Sequence, residues 1–568
     1  MKVVIVGGVA GGATAAARLR RLDEKAQIVV LERTGYVSYA NCGLPYYIGG
    51  VIEEKGELTL QTPESLHRRF DIDVRVKQEV TKINTEKKTV SVKDLQTGRD
   101  YEESYDKLIL SPGARPSVPD LPGVDSRYLF TLRTVEDTLK IRQYALEHKD
   151  GSAVIIGGGF IGLEMAENLL GLGMNVTVIG RSRQIMSNLD YDMAVLVHAL
   201  LRRKGIRLIL ERKVEGFEEE GNAVKVLLSG SMQAGAEKIP ADMVILAAGV
   251  VPETALAKEA GIELGQKGSI VVNDRMETSV PDIYAVGDAV QVKHLVSGKD
   301  AVISLAGPAN KQGRIAADNI CGIDSHYKGS QGSFVIKLFQ MTAAGTGLNE
   351  KSAKAAGLSY EKVILSPSSH AGYYPGAKVM TMKILFERGT GRILGAQIVG
   401  QEGVDKRIDV LATAISLGAC ADQLKDLDLS YAPPYSSAKD PVNMAGFVID
   451  NLLSGRIKQF HWEQIPALLK KQDITLVDAR TKVEYDRGHI EGFINIPVDE
   501  LRKKMKVLDP SRPIYVMCQS GIRSYIACCI LSGCGYDCYN FSGGYRFYEA
   551  VTKEKQLSEE TWPCGMDR

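Results

Sequence analysis

Cys42 lies in the run Gly35-Tyr-Val-Ser-Tyr-Ala-Asn-Cys42-Gly-Leu-Pro-Tyr46, and no further cysteine follows before Cys321. A cysteine opening Cys-Gly-Leu-Pro enters the amino end of a helix, where a thiolate is favoured. With no resolving cysteine nearby, a redox cycle at Cys42 must take its sulfur partner from a substrate or a cofactor. The alternative for an isolated cysteine is an inert, buried small hydrophobe. Cys518 has a second informative setting, Ile514-Tyr-Val-Met-Cys518-Gln-Ser-Gly-Ile-Arg523-Ser524. It reads as a strand delivering a cysteine to a short loop before a helix. Backbone N–H groups of such a loop, the helix end and Arg523 all favour a sulfur anion. Cys528, Cys529, Cys534, Cys538 and Cys564 match no strong zinc spacing, so no metal site is expected. Most read as packing residues, with Cys564 a candidate to receive sulfur from Cys518.

Two glycine-rich turns supply the elements around Cys42. Lys2-Val-Val-Ile-Val6 is a buried-strand pattern that turns through Gly7-Gly-Val-Ala-Gly-Gly12 into an alanine-rich helix, and a second strand, Gln27 to Leu31, delivers Glu32 and Arg33. Glycines let backbone approach a pyrophosphate, the helix amino end faces it, and Glu32 accepts ribose hydroxyls. Val9 departs from this pattern where a second glycine is usual. The unit recurs with all its glycines in Val154-Ile-Ile-Gly157-Gly-Gly159-Phe160-Ile-Gly162-Leu-Glu164. Two such units imply two dinucleotides, one donating a hydride and one accepting it. The second lacks an acid after its strand Asn175 to Ile179: Gly180 stands there, followed by Arg181 and Arg183. Loss of the carboxylate favours NADPH over NADH if the arginines meet a 2′-phosphate; the alternative is two solvated surface charges. Thr278 to Asp288, containing Gly287, resembles the second flavin signature of two-dinucleotide flavoproteins, in which the aspartate meets the ribityl chain. Ser111-Pro-Gly113-Ala-Arg-Pro116 and Ala247-Ala-Gly249-Val-Val-Pro252 resemble their crossover turns. The first dinucleotide is then FAD and the second a nicotinamide cofactor.

Residues 1 to about 450 resemble the coenzyme A disulfide reductases and their persulfide-reductase relatives. The motifs are Ser38-Tyr-Ala-Asn41-Cys42-Gly-Leu-Pro-Tyr46, Gly307-Pro-Ala-Asn310-Lys-Gln-Gly-Arg314, His370-Ala-Gly-Tyr373-Tyr374-Pro-Gly-Ala377 and Ser430-Tyr431-Ala-Pro-Pro-Tyr435-Ser-Ser-Ala-Lys-Asp-Pro441. The resemblance implies that Cys42 cycles between thiol and mixed disulfide or persulfide. It also implies that Tyr373 and Tyr431 act across a homodimer as proton donors, and that Phe160 shields the flavin. For coenzyme A it implies Arg18 and Arg21 at the phosphates, helped by Arg68 or Arg69, Asn310 and Arg314, with Ser38 and Asn41 along the pantetheine path. Residues from about 460 to 555 resemble a single rhodanese domain, with Cys518 as persulfide carrier.

The expected architecture is α/β. Residues 1–115 and 251–328 would form a discontinuous FAD-binding domain, 116–250 an NAD(P)-binding domain and 329–446 an α+β dimerisation domain. A linker at 447–460 would precede a rhodanese domain at 461–568. The 70 basic and 69 acidic side chains of 568 residues give no charge bias toward nucleic acid or membrane surfaces. Nine scattered cysteines read as reduced and cytoplasmic. The functional expectation is an NAD(P)H- and FAD-dependent reductase of coenzyme A persulfide or polysulfide S–S bonds, releasing sulfide and thiol. The alternatives are a coenzyme A disulfide reductase, an NAD(P)H oxidase or peroxidase cycling Cys42 through sulfenic acid, and a redox-regulated interaction protein.

Overall fold

The computed structural model describes residues 1–230 and 236–554; Cys564 lies outside them. The chain divides into two compact units, Met1–Met186 with Ile206–Gly332, and Ser187–Gly205 with the chain from Ser333 onward.

The first unit repeats one design. In the first parallel sheet, strand Lys2–Val6 lies between Gln27–Glu32 and Lys107–Leu110, flanked in turn by Asp73–Val76 and Ile283–Ala285. In the second, Ser152–Ile156 lies between Asn175–Ile179 and Met243–Leu246, with Arg207–Ile209 and Leu129–Phe130 at the edges. Both central strands are continuous β-branched and aliphatic runs because both faces are covered. In each sheet the chain leaves the central strand through a glycine turn into a helix, Ala10–Leu22 or Phe160–Gly171. Both turns therefore open at the carboxyl ends of the strands, where open α/β sheets bind ligands.

The second unit holds an antiparallel and a parallel sheet. The antiparallel order is Phe334–Leu338, Met341–Gly347, Ile393–Gly400, Thr381–Glu387, Tyr360–Leu365, with helix Val404–Ser416 across it. The parallel order is Lys458–Phe460, Cys538–Phe541, Ile514–Met517, Thr475–Asp478, Ile494–Asn495. The stretch 447–460, expected as a helix-like linker, holds the end of a helix and a short strand. Helix Pro441–Leu453 buries Val442, Ala445 and Ile449, and Lys458–Phe460 is an edge strand of the parallel sheet. The buried positions Val442, Ala445 and Ile449 follow a helical period.

Ionic groups bind the two sheets of this unit together. Lys383, 0% exposed, places its ammonium 2.8 Å from Asp192, 3.0 Å from Asp190 and 2.6 Å from Glu350. Lys362 bridges Glu350 at 2.9 Å to Glu463 at 2.5 Å, and Trp462 Nε1 donates to Asp192 at 3.4 Å. Against the upward push of burial, the two lysines hold the Glu350 carboxyl down to about 2. Helix Tyr191–Arg203 meets the end of the parallel-sheet domain, where Glu554 lies 2.9 Å from His198 Nδ1 and 2.6 Å from Arg202. Asp190, Asp192 and Glu350 are the one acidic group among the described residues with the convergence a metal needs, and the Lys383 ammonium sits among them.

Candidate active site

The dinucleotide turns are steric necessities. A Cβ on Gly12 would stand 1.9 Å from the Gly7 carbonyl oxygen, and one on Gly162 2.1 Å from that of Gly157. Gly7 (φ +94°) and Gly157 (φ +116°) press equally close to the carbonyls of Ser111 and Ala247, 2.2 Å in each case. Val9 is explained by the same comparison. A Cβ at the corresponding Gly159 meets nothing within 4 Å, so this position tolerates a side chain.

Glu32 accepts from Gly8 N–H at 2.9 Å and Thr34 N–H at 2.8 Å, leaving lone pairs free for ribose hydroxyls. It lines a cavity of about 380 Å³ together with Gly7, Arg33, Asn41, Ser111, Gly113 and Arg133. Arg33 pairs with Glu253 at 3.6 Å. Gly287 (φ +84°) donates its N–H to Gln312, and Asp288 pairs with Arg133 at 3.0 Å. Gly113 (φ +72°) and Gly249 (φ +112°) sit in the crossover turns, and Phe160 opens the second helix. Glycine cradles, a carboxylate with spare lone pairs and the buried Asn41 Oδ1, which has no hydrogen-bond partner among the described residues, suit a polar dinucleotide. In the second unit of the repeat, a Cβ on Gly180 would lie 2.9 Å from Leu210 Cδ2, so an acid there would have to displace Leu210. Arg181 and Arg183 are exposed just beyond it.

Cys42 is exposed within the short turn Asn41–Gly43, ahead of the five-residue helix Leu44–Ile48. The expected thiolate preference is reversed. Burial of the sulfur's surroundings, Glu164 and Asp288 push the thiol up, and Arg133 only partly opposes them. A helix this short has little dipole to offer, and carboxylates face the sulfur. Ser38 holds a left-handed backbone (φ +46°) beside it. The proposed coenzyme A arginines are divided. Helices Ala10–Leu22 and Ala306–Ile320 cross where a Cβ on Gly313 would lie 2.3 Å from Gly11 O, which brings Arg18 within 2.6 Å and Arg314 within 4.0 Å of Asp318. Asn310 accepts from Thr14 at 2.6 Å, Arg21 stacks over Phe70, and Arg68 and Arg69 are exposed.

Tyr373 and Tyr431 come together in the second unit, their hydroxyls 2.8 Å apart, although 76% and 47% exposed. The shared hydrogen bond pushes the Tyr373 phenol up, keeping it a proton donor. Tyr374 packs edge-on to His370 instead. Arg407 holds the two loops: 1% exposed, it donates to Ser369 O at 2.9 Å, Ser436 Oγ at 3.0 Å and Asp440 at 3.0 Å.

Cys518 is 0% exposed at the end of Ile514–Met517, and its sulfur accepts from Gly521 N–H at 3.1 Å and Ser524 Oγ at 3.2 Å. Tyr545 N–H donates to Cys518 O, and close contact of Gly544 with Ser520 buttresses the loop. Arg523 is held by Glu484 at 2.6 and 2.7 Å, and its hydrogen bonds keep that carboxyl at about 2. Its charge is thus shared with a carboxylate, so Gly521 and Ser524 are the direct sulfur partners. Cys528 and Cys538 are buried in the same core, as packing residues are; Cys529 and Cys534 are exposed. Sequence reasoning missed Arg407, Arg133 and Tyr46 as site residues, and quoted Glu164 and Ser524 only as motif ends.

No helix among the described residues is long and apolar enough to cross a membrane. Residues 1–313 match the pyridine nucleotide-disulphide oxidoreductase model, 334–441 the dimerisation domain of that family and 462–550 the rhodanese-like domain. The coenzyme A disulfide reductase of Staphylococcus aureus (strain JH9) is 38% identical over 447 residues, covering 78% of this chain and 99% of its own. Reduced Bacillus anthracis CoADR-RHD superposes with a TM-score of 0.94 at 48% identity, over 97% of this chain and 98% of that one. A NAD-dependent persulfide reductase from A. fulgidus gives 0.89 at 38%, over 97% and 100%. The oxidoreductase, dimerisation and rhodanese-like models thus match in succession along the sequence, and the chain belongs to the pyridine nucleotide-disulphide oxidoreductases, among relatives of coenzyme A disulfide reductase, with a rhodanese domain in its carboxyl-terminal part.

Proposed function

We propose that the protein is a cytoplasmic, NADPH- and FAD-dependent reductase of coenzyme A persulfide or polysulfide, with Cys518 carrying sulfane sulfur. The observation that supports this most is the formed anion loop at Cys518 in the same chain as a lone redox cysteine. A sulfane carrier beside the reductase favours a substrate that itself holds sulfane sulfur. Glu32, Ser111, Gly113 and Asp288 would hold FAD, and Gly157, Gly159 and Gly162 the nicotinamide dinucleotide. FAD, when bound, supplies the two-electron link between nicotinamide and sulfur.

The remaining chemistry belongs to the side chains. The Cys42 thiolate attacks the outer sulfur of the persulfide; that S–S bond breaks, the sulfane sulfur moves to Cys42, and coenzyme A leaves as a thiolate. Two electrons and a proton then restore the Cys42 thiolate and release hydrogen sulfide. In a homodimer, the exposed Tyr373–Tyr431 pair would protonate the leaving thiolate across the interface. Ser38, Asn41, Asn310 and the basic edge of Arg18, Arg21 and Arg314 would bind coenzyme A, Arg18 by exchanging Asp318 for a phosphate.

Sulfide released per NADPH consumed tests the reading, with coenzyme A persulfide, coenzyme A disulfide, polysulfide and peroxide compared side by side. One sulfide per NADPH from the persulfide, at the highest kcat/KM of the four, is expected. Coenzyme A disulfide as the best substrate would favour the activity named for the staphylococcal relative. Cys518→Ala is expected to abolish turnover that starts from a sulfane donor other than coenzyme A persulfide or polysulfide; unchanged turnover of every donor refutes coupling of the two sulfur centres. Arg181→Ala is expected to raise KM for NADPH by about 10-fold or more while leaving NADH unaffected, since a lost hydrogen bond to a charged group is worth ~1.5–3 kcal/mol. A wild-type enzyme that prefers NADH sinks the NADPH assignment.

A further inference from the structure

The strand Tyr360–Leu365 is an outer strand of the antiparallel sheet, paired on one side with Thr381–Glu387. Such an edge turns out backbone N–H and C=O groups at alternate residues, and each needs a partner once it is covered. The rhodanese domain supplies two. Gln459 Nε2 donates to Lys362 O at 2.7 Å, and Ser542 Oγ accepts from the Ile364 N–H at 2.9 Å. Ser542 is buried directly after strand Cys538–Phe541, and its own N–H donates to Phe460 O at 3.0 Å. Gly543 and Gly544 follow with φ +91° and +71°. A Cβ on Gly543 would lie 3.1 Å from Ile364 Cγ2, and one on Gly544 2.6 Å from Ser520 N and 2.7 Å from Gln519 O. These contacts run without a gap from the edge strand to the Cys518 loop. Helix Gly544–Lys553 then donates Tyr545 N–H to Cys518 O at 2.8 Å and Arg546 N–H to Gln519 O at 3.2 Å, which turns both carbonyls toward the helix. Across planar trans peptides the N–H groups of Gln519 and Ser520 point the opposite way. Among the described residues nothing accepts from either.

We propose that Ser542 is a positioning residue for Cys518: by holding Gly543 and Gly544 against Ile364, it fixes the loop whose donors stabilise the Cys518 thiolate. The inference rests on the reading of Cys518 as the sulfane carrier. In the loading step the Cys518 thiolate attacks the outer sulfur of an organic hydropersulfide. That S–S bond breaks, the sulfane sulfur moves to Cys518 with its proton, and the donor leaves as a thiolate. The charge on the Cys518 sulfur is met by Gly521 N–H at 3.1 Å and Ser524 Oγ at 3.2 Å, so its stability depends on where the loop stands. Without the Ser542 hydroxyl, the Ile364 N–H is left buried with no acceptor, and the two segments relieve this by parting to admit water. Ser542 is only two residues from Gly544, so the displacement passes directly to Gln519 and Ser520. Glu554 holds the same domain to His198 and Arg202, but at the other end of helix Gly544–Lys553, about 13 Å along the axis from Tyr545.

The test is the pH dependence of sulfur loading at Cys518 in the full-length holoenzyme without NADPH. Glutathione persulfide is the donor, and mass spectrometry of the Cys518 peptide is the readout. Ser542→Ala is expected to move the profile up by about one pH unit and to slow loading at neutral pH by about 10-fold, as the thiolate loses part of its hydrogen-bond support. Ser542→Thr keeps an acceptor hydroxyl and should restore the wild-type profile. Glu554→Gln loosens the same docking away from the loop; it should lower the Tm yet leave the profile in place. A Ser542→Ala profile superimposable on the wild type, an equal shift in Glu554→Gln, or a Ser542→Thr enzyme that behaves like Ser542→Ala overturns the inference. A wild-type enzyme that takes no sulfur at Cys518 overturns the carrier reading instead.

Discussion

Replacing Cys42 with Ser is expected to lower NADPH-driven cleavage of every S–S substrate by on the order of 10³–10⁶-fold, the range seen when an enzyme loses its nucleophile. A serine hydroxyl neither ionises near neutrality nor holds sulfane sulfur, and no second cysteine stands within the motif to replace it. NADPH reduction of an artificial electron acceptor, measured on the same preparation, should remain within a few-fold of wild type. That control separates loss of the sulfur step from loss of the dinucleotide sites. A Cys42→Ser enzyme that still releases sulfide at the wild-type rate would move the chemistry to Cys518.

Lys383→Met is expected to have the largest effect on stability. The substitution shortens the chain by one atom at nearly constant volume, strips Asp190 and Asp192 of their ammonium and leaves Glu350 with Lys362 alone. Breaking a buried pair by removing one partner costs about 3–5 kcal/mol. At roughly 2–4 °C per kcal/mol for 150–250 residues, the apparent Tm should fall by about 6–20 °C. Thermal unfolding followed by circular dichroism measures it. Adding Asp192→Asn to Lys383→Met should recover part of the loss, because one of the stranded charges is gone; a double variant no more stable than Lys383→Met would mean that side-chain packing, not charge, sets the cost.

What could be read beforehand was local. The glycines at 7, 12, 157 and 162 follow from backbone crowding within a few residues of chain, and a Cβ at any of them would strike a carbonyl. The Cys518 loop was readable for the same reason, since Gly521 and Ser524 lie three and six residues away. Arg407 was not: its partners Ser369, Ser436 and Asp440 lie in segments that meet only in the folded unit. Lys383 sits in a strand that alternation alone cannot distinguish from one with a solvated lysine, and its partner Asp192 is 191 residues away. The Cys42 environment was misjudged because a motif shows that a helix begins but not how soon it ends or which carboxylates face it. Glu164 and Asp288 reach that sulfur from distant parts of the sequence.

The ionic groups of the second unit bear on how such a chain can be inherited and rearranged. On paper the rhodanese domain is an appended module, separable near residue 455. In the folded protein, Trp462 and Glu463 complete the charge cluster around Lys383 and Lys362. Ser542 receives the Ile364 N–H, and Glu554 is the counter-charge for His198 and Arg202. A foreign rhodanese domain grafted at this junction would arrive without those four residues and would leave buried cations and amides unmatched on the acceptor side. The fusion is therefore no longer an exchangeable cassette, and substitutions on one side of the junction are answerable to the other.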